Sequence, residues 1–358
     1  MAMNELERQL HYPLGDTLPE AGRTLDMAPG VRWVRMGLPF ALDHINLWLL
    51  RDRIAGREGW TIVDCGITNA DTQRHWEQVF RDELDGLPVL RIIVTHMHPD
   101  HIGLADWLVD RWSAPGHPCR LWMSAADYTG ARLASQSTTG FGGAAAAAFM
   151  ASHGLTDPDA IEKIKARANY YASMVPKVPD SYHRLRDSQT FDAGDHTWHC
   201  IAGHGHAPEH MSLYCETLGV LISGDMLLPR ISTNVSVTDM EPEANPLRLY
   251  LASIDRYRAL PSDTLVLPSH GRPFRGMHTR IDQLHRHHDE RLADVMAACR
   301  ETPQTAASLL KVLFKRPLDL HQTTFAMGES IAHLHALWLD GQLQRTMGDD
   351  GVLRFAPS

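Results

Sequence analysis

The sequence predicts a mixed α/β protein, of the α+β kind, on three observations. Short β-branched and aromatic runs fall in two blocks, amphipathic helical patterns lie between and after them, and several buried-looking runs stop at a histidine or an aspartate. At 358 residues the chain suffices for one large domain plus a smaller one, read here as 1–276 and 277–358. The 44% hydrophobic and 22% charged fractions are those of a globular chain, and no apolar run approaches the roughly 18 residues of a membrane span. The first residues, MAMNELERQLHYPLGD, lack the basic-then-apolar pattern of a secretory signal, so the expected location is cytoplasmic. Five scattered cysteines without a CxxC read as small buried residues. A net charge of -9 argues against a protein built to hold a polyanion.

Between 31 and 66 the runs VRWVRMGL, INLWLLRD and WTIVDCG read as successive strands punctuated by Gly, Pro or Asp. DTQRHWEQVFRDEL then places Trp76, Val79 and Phe80 on one helical face, LPVLRIIVT returns as a buried strand, and IGLADWLVDRW is again helical. From about 124 to 186 strand alternation gives way to GFGGAAAAAFMASHG and DAIEKIKARANYYASMV, an inserted helical cap. Strands resume with QTFDAG, HTWHCIAG, HMSLYCE and VLISGDML, and PLRLYLASIDRYRALPSDTLVLPSH adds a helix and a further strand. A long helix spans 277 to 300. The tail holds two helical runs, TAASLLKVLF and MGESIAHLHALWLDG, then two short strands around GDDG, the pattern of a small winged helix.

Chemistry concentrates in HMHPDH at 96–101. His96 and His98 are two apart on extended chain leaving a buried strand, so both imidazoles project to one side and one metal can take both. Pro99 ends the ladder and Asp100 stands where a helix begins, which turns Asp100 and His101 toward a second ion. Imidazole with carboxylate suits two divalent ions, Zn first, with Fe or Mn as alternatives. Downstream, GHGHAPEH offers His204, His206 and His210, VLISGD offers Asp225, and LVLPSH offers His270, the last two each at the end of an apolar run.

The ordered series Asp64 in TIVDCG, HMHPDH, GHAPEH, SGD and PSHG resembles the five motifs of the metallo-β-lactamase fold hydrolases over residues 31–276. That resemblance implies an αββα sandwich. It further implies one metal on His96, His98 and His210, a second on Asp100, His101 and His270, Asp225 bridging, and Asp64 supporting the first motif from behind. On this match His204 and His206 are not ligands. The bridging aspartate speaks against a true β-lactamase and for the glyoxalase II-like thioesterases or the tRNA-processing nucleases. PRISTNVSV and the tail resemble, more loosely, a bacterial group related to an endoribonuclease with a similar C-terminal domain.

The implied reaction is hydrolysis of a small ester or thioester, of the acyl-CoA or glutathione-thioester type, by a metal-bound hydroxide, with Asp100 placed to orient it or carry its proton. No GxSxG elbow supports a serine hydrolase. The alternative is a metal-dependent endoribonuclease or phosphodiesterase. Against it, Lys311, Lys315, Arg316, Arg345 and Arg354 in the tail are matched by Glu301, Asp319, Glu329, Asp340, Asp349 and Asp350, leaving no basic excess for nucleic acid; the tail fits a support for the site or a homodimer interface better. A mononuclear iron dioxygenase is the remaining alternative on this fold. Arg230, Ser232 and Asn234 follow Asp225 closely enough to contact substrate. Phe141, Phe149, Met150, Tyr170, Tyr171 and Met174 of the cap are read as packing rather than as an acyl pocket, and His285, His287 and His288 as a solvated helix face.

Overall fold

Strand runs that are apolar on both faces demand cover on both faces, and the architecture provides it. In the computed structural model, which describes residues 4–138 and 142–358, seven strands form one sheet: β1 (Thr24–Ala28), β2 (Val31–Gly37), β3 (His44–Ile54), β4 (Arg57–Val63), β5 (Val89–Ile93), β6 (Arg120–Met123) and β7 (Tyr182–Arg184), in that order. The first four are antiparallel, and β4 to β7 run parallel. A second sheet has the order β12-β11-β10-β9-β8, built from β8 (Thr190–Ala193), β9 (His196–Gly203), β10 (His210–Cys215), β11 (Val220–Gly224) and β12 (Leu265–Pro268). The edge strands β1 and β7 are absent from the sequence reading, being short and only partly buried.

The two sheets pack face to face through Trp33, Trp48, Val63, Ile93, Trp198, Leu213 and Ile222, with Trp33 and Trp48 paired across β2 and β3 and stacked at 6.2 Å. Alternate residues of the same strands, such as Leu47, Leu49 and Ile62, face an outer helical layer containing α1 (Ala70–Asp82) and α3 (Ala105–Trp112). Helix α1 starts at Asn69, whose side chain accepts the Thr72 N–H, and buries Trp76, Val79 and Phe80 as its periodicity predicts. The short α2 (Pro99–Ile102) lies between them in the chain, at the motif. On the far face, α8 (Pro246–Asp255), α9 (Met277–Glu301), α10 (Ala306–Leu313) and α11 (Leu320–Leu339) share one apolar cluster with β11 and β12. The layers are thus αββα.

Among the described residues, four helices intervene between β6 and β7: α4 (Ala125–Gln136), α5 (Gly143–Ser152), α6 (Pro158–Lys165) and α7 (Tyr170–Met174). Residues of α4 and α7 join the core beneath the first sheet, whereas Ala146, Ala147, Met150 and Ile164 of α5 and α6 join the core beneath the second. The segment therefore crosses from one helical layer to the other. Met150 and Tyr171 are core residues, as their reading as packing expects, and Phe141 lies outside the described residues. The tail ends in an antiparallel hairpin, β13 (Leu343–Met347) and β14 (Leu353–Pro357). All five cysteines are buried and unpaired. His288 corrects the expectation of a solvated face: it is fully buried, with Nδ1 3.2 Å from His333 Nε2, because α11 covers that side of α9. No helix among the described residues is long and apolar enough to cross a membrane.

A buried ion pair ties the sheets together away from the strand ends considered below. Asp52 accepts from Arg91 Nε at 2.9 Å and from Thr61 Oγ1 at 2.5 Å, while Arg91 reaches the Asp192 carbonyl of the other sheet and lies over Trp122 and Phe191. Asp52→Ala leaves that guanidinium buried without its anion and is expected to cost about 3–5 kcal/mol in urea unfolding with metal content unchanged. A loss below about 1 kcal/mol would show that the pair does not hold the sheets.

Candidate metal centre

The parallel strands β4 and β5 and the strand β11 all run toward one edge, and the residue types that bind metals sit just past their ends. Past β4, Asp64 adopts a left-handed backbone, φ 62°. That conformation is sparsely populated for a non-glycine residue and costs about 1–3 kcal/mol. It aims the carboxylate at the next strand end: Asp64 Oδ1 accepts the Thr95 N–H at 2.8 Å, and Oδ2 accepts from Thr95 Oγ1 at 2.9 Å and from His101 Nδ1 at 2.8 Å. The HPDH turn is held against Asp64 by close backbone approach, since a Cβ on Gly103 would stand 2.5 Å from the Pro99 carbonyl and 2.9 Å from that of Gly66.

Two groups of donor atoms result. His96, His98, His206 and Asp225 form one, and Asp100, His101 and His270 the other. In the first, His96 Nε2 is 2.9 Å from His98 Nδ1 and 3.2 Å from His206 Nε2. In the second, His270 Nε2 lies 3.4 Å from Asp100 Oδ2, and His101 Nε2 3.7 Å from the same oxygen. Asp225 stands between them. Its Oδ2 is 3.3 Å from His206 Nε2, and its Oδ1 is 3.3 Å from His270 Nε2 and 3.5 Å from His101 Nε2.

Hydrogen bonds on the outer side of the rings decide what faces inward. His206 Nδ1 donates to the Asn234 carbonyl at 2.8 Å, His270 Nδ1 to the His44 carbonyl at 2.8 Å and His101 Nδ1 to Asp64, so in each neutral ring the lone pair is on Nε2. While these three rings are neutral, their Nε2 lone pairs confront the Asp225 oxygens, acceptor against acceptor, and the buried His101 Nε2 and Asp225 Oδ1 have no hydrogen-bond partner. A cation resolves this, and the residues fit a divalent metal pair. Burial and then the neighbouring imidazoles push His96 and His98 well below the ordinary histidine value, keeping them neutral as ligands must be. Burial opposes charge on His101 and His270 too, but Asp64, Asp100 and Asp225 around His101, and Asp225 and Asp100 around His270, outweigh it and raise both.

The sequence reading gives His210 to the first ion and leaves His206 out, whereas the donor group in the structure contains His206 and not His210. His210 opens β10 with its ring against Gly224, where an added Cβ would stand 2.1 Å from Nε2, and that nitrogen accepts the Asp225 N–H at 3.2 Å. In this arrangement its Nε2 lone pair is directed at the backbone, and it steadies Asp225 from behind. Its ring still lies 5.0 Å from that of His96, and its Nδ1 is buried without a partner. His204 turns away, with Nδ1 donating to the Pro208 carbonyl. Of the residues after Asp225, Asn234 supplies the carbonyl behind His206, Thr233 Oγ1 donates to the Asp225 carbonyl, Ser232 is half-buried, and Arg230 stands 3.7 Å from Glu7 on the N-terminal segment. Asp127, absent from the sequence reading, accepts the N–H groups of Met97 and Glu209 at 2.8 and 2.7 Å, joining the two histidine-bearing loops.

Metal analysis after dialysis separates these roles. On the grouping seen here, His206→Ala is expected to hold fewer ions per chain than the parent, whereas His210→Gln, which keeps an acceptor for the Asp225 N–H, retains them. Retention by His206→Ala with loss in His210→Gln would give the ligand role to His210, as the motif order implies. Asp64→Asn should weaken metal binding about 10–100-fold.

Comparison with known proteins identifies the family. Residues 41–270 match the family model of the metallo-beta-lactamase superfamily, and residues 292–358 match that of the metallo-beta-lactamase-like C-terminal domain. The crystal structure of a beta-lactamase domain protein from Burkholderia ambifaria is 56% identical, with a TM-score of 0.93 over 99% of this chain and 100% of that one. A metallo-beta-lactamase family protein from Thermus thermophilus is 26% identical, TM-score 0.71, over 92% and 99% of the two chains. The probable metallo-hydrolase YqjP of Bacillus subtilis is 25% identical over 316 residues, 85% of this chain and 91% of that protein. The chain belongs to the metallo-beta-lactamase superfamily and is one of its metallo-hydrolases.

Proposed function

We propose that the protein is a two-metal hydrolase of small esters or thioesters. One divalent ion would be held by His96, His98, Asp225 and a histidine of the 206–210 loop, His206 on the grouping seen here; the other would be held by Asp100, His101, His270 and Asp225. The observation that carries this is Asp225, whose two oxygens face different donor groups and so suit a shared ligand. The imidazole and carboxylate set favours Zn. When bound, such a pair supplies a water that ionises near neutral pH and a Lewis acid for the substrate oxygen.

The chain's own residues do the rest. Asp100 is the more accessible of the two inward carboxylates, 18% of its side chain exposed against 10% for Asp225, and can hold the proton between water and leaving group. Burial keeps the nearby Cys65 thiol well above its ordinary pKa, so it offers no thiolate nucleophile. A small substrate is supported over nucleic acid by the overall charge of -9 and the charge-balanced tail.

The test is metal analysis followed by one substrate panel: acyl-CoA, acyl-glutathione, a lactone, bis(p-nitrophenyl) phosphate and single-stranded RNA. Two ions per chain are expected, with thioester or ester turnover lost to chelator and restored by Zn, and kcat reduced about 10²–10⁴-fold in Asp100→Asn. RNA cleavage lost in His98→Ala without ester or thioester turnover would overturn the reading. So would a single iron per chain with oxygen consumption on a persulfide.

A further inference from the structure

Among the described residues, four ring-bearing side chains meet outside the metal centre. Phe40, in the turn between β2 and β3, stacks on His321 at 6.1 Å with the rings 10° from parallel. Tyr170 Oη is 3.1 Å from His321 Nδ1, and Phe325, one turn further along α11, packs edge-on against the same imidazole at 5.0 Å. The Arg167 guanidinium lies over the Tyr170 ring at 5.7 Å. Among the described residues, Phe40 and Tyr170 belong to none of the three apolar clusters, and Phe40 is 40% exposed. Aromatic side chains from three chain segments thus gather around one imidazole and offer a common apolar surface.

Each segment is tethered to a different part of the metal centre. Phe40 precedes by four residues His44, whose carbonyl receives His270 Nδ1–H. Tyr170 adjoins Tyr171, whose hydroxyl donates at 2.5 Å to the Met97 carbonyl, between His96 and His98. Phe325 precedes by three residues Gly328, whose carbonyl accepts the Val237 N–H, in the loop where Asn234 holds His206. On the same stretch of α11, Thr324 and Gly328 border a gap with space for about one water, whose lining mixes Ala146, Met150 and Ile164 with Ser236 and Thr238. Each ring-bearing segment thus lies within four residues of a hydrogen bond that supports a segment of the metal centre.

We infer that Phe40, Tyr170, His321 and Phe325 form a rim that receives the apolar acyl group of the substrate, making this a hydrolase selective for apolar over acetyl esters or thioesters. The inference rests on the two-metal hydrolase reading and adds the acyl class. Aromatic faces offer flat apolar area at low entropic cost and do not distinguish an alkyl from a phenyl group sharply, so a medium-length or phenyl-terminated acyl chain is the fitting occupant.

The test compares acetyl and hexanoyl thioesters of N-acetylcysteamine on the metal-loaded protein, reading the ratio of their kcat/KM values so that any general loss of activity cancels. The ratio is expected to favour hexanoyl about 30-fold, as partial burial of four methylenes provides, and to fall toward 1 in Phe40→Ala and His321→Ala but not in Met347→Ala, an exposed apolar residue elsewhere. In parallel, calorimetry with 4-phenylbutyramide, which needs no turnover, should show binding at least about tenfold weaker in Phe40→Ala. A flat ratio in the parent protein, or an unchanged ratio in both rim variants, would overturn the inference while leaving the hydrolase reading intact. Absence of turnover with these thioesters and with every ester and thioester of the panel, alongside amide binding that depends on Phe40, would instead overturn the hydrolase reading and keep the rim.

Discussion

Five imidazoles and two carboxylates offer their donor atoms to one small buried space, and the rest of the molecule is organised to make that arrangement bearable. An imidazole presents a lone pair inward only if its other nitrogen is committed outward. His101 commits it to Asp64, His206 to the Asn234 carbonyl and His270 to the His44 carbonyl. These acceptors come from the turn after β4, the loop after β11 and the start of β3. The strain of left-handed Asp64 is offset by the three donors its carboxylate collects from Thr95 and His101.

The same requirement explains how the sheets meet at this edge. Met211 N–H donates to the Thr95 carbonyl at 2.8 Å and Asn46 N–H to the Ser269 carbonyl at 2.7 Å, so backbone bonds join the two sheets beside His96 and His270. Asn46 Nδ2 also donates to the carbonyls of Pro268 and Gly271, closing the His270 turn. Asp127 performs the analogous service between the Met97 and Glu209 amides. At the metal edge, then, the sandwich is held by directional hydrogen bonds, whereas its middle is held by apolar contact among Trp33, Trp48, Trp198 and their neighbours.

Layer order and strand sequence are legible in the chain because runs such as INLWLLRD and VLISGD must be covered on both faces, and that demand is local to the run. The HMHPDH residues, Asp225 and His270 are legible for a related reason: strand ends put functional groups at an edge, and spacing shows which types are there. The choice between His206 and His210 depends on something spacing does not hold. The Asp225 N–H and the bare Gly224 against His210 set the direction of that ring, and these contacts form only after β10 and β11 pair. One signal in the chain bears on it, namely that His210 begins an apolar strand run whereas His206 lies in the polar loop before it. The rim has no such signal, since positions 40, 170, 321 and 325 share neither motif nor period. His288 misleads differently, because a helix face rich in His and Arg reads as solvated until α11 is laid over it.

On the proposed reading, chemistry and selection are carried by different kinds of structure. The metal centre draws on strand ends and their immediate turns, where backbone geometry is over-determined by two sheets and atoms are held to the tolerance that proton transfer needs. The rim draws on the turn at 38–43, on the helices between β6 and β7 and on α11, elements that meet through ring contacts and single hydrogen bonds. Such contacts tolerate substitution of one aromatic or aliphatic side chain for another at modest cost, whereas moving Asp225 or His270 removes a donor that nothing nearby replaces. Packing the tail into the same apolar cluster as the second sheet has a consequence for the rim, because it fixes α11 and so holds His321 and Phe325 in register with Phe40 and Tyr170.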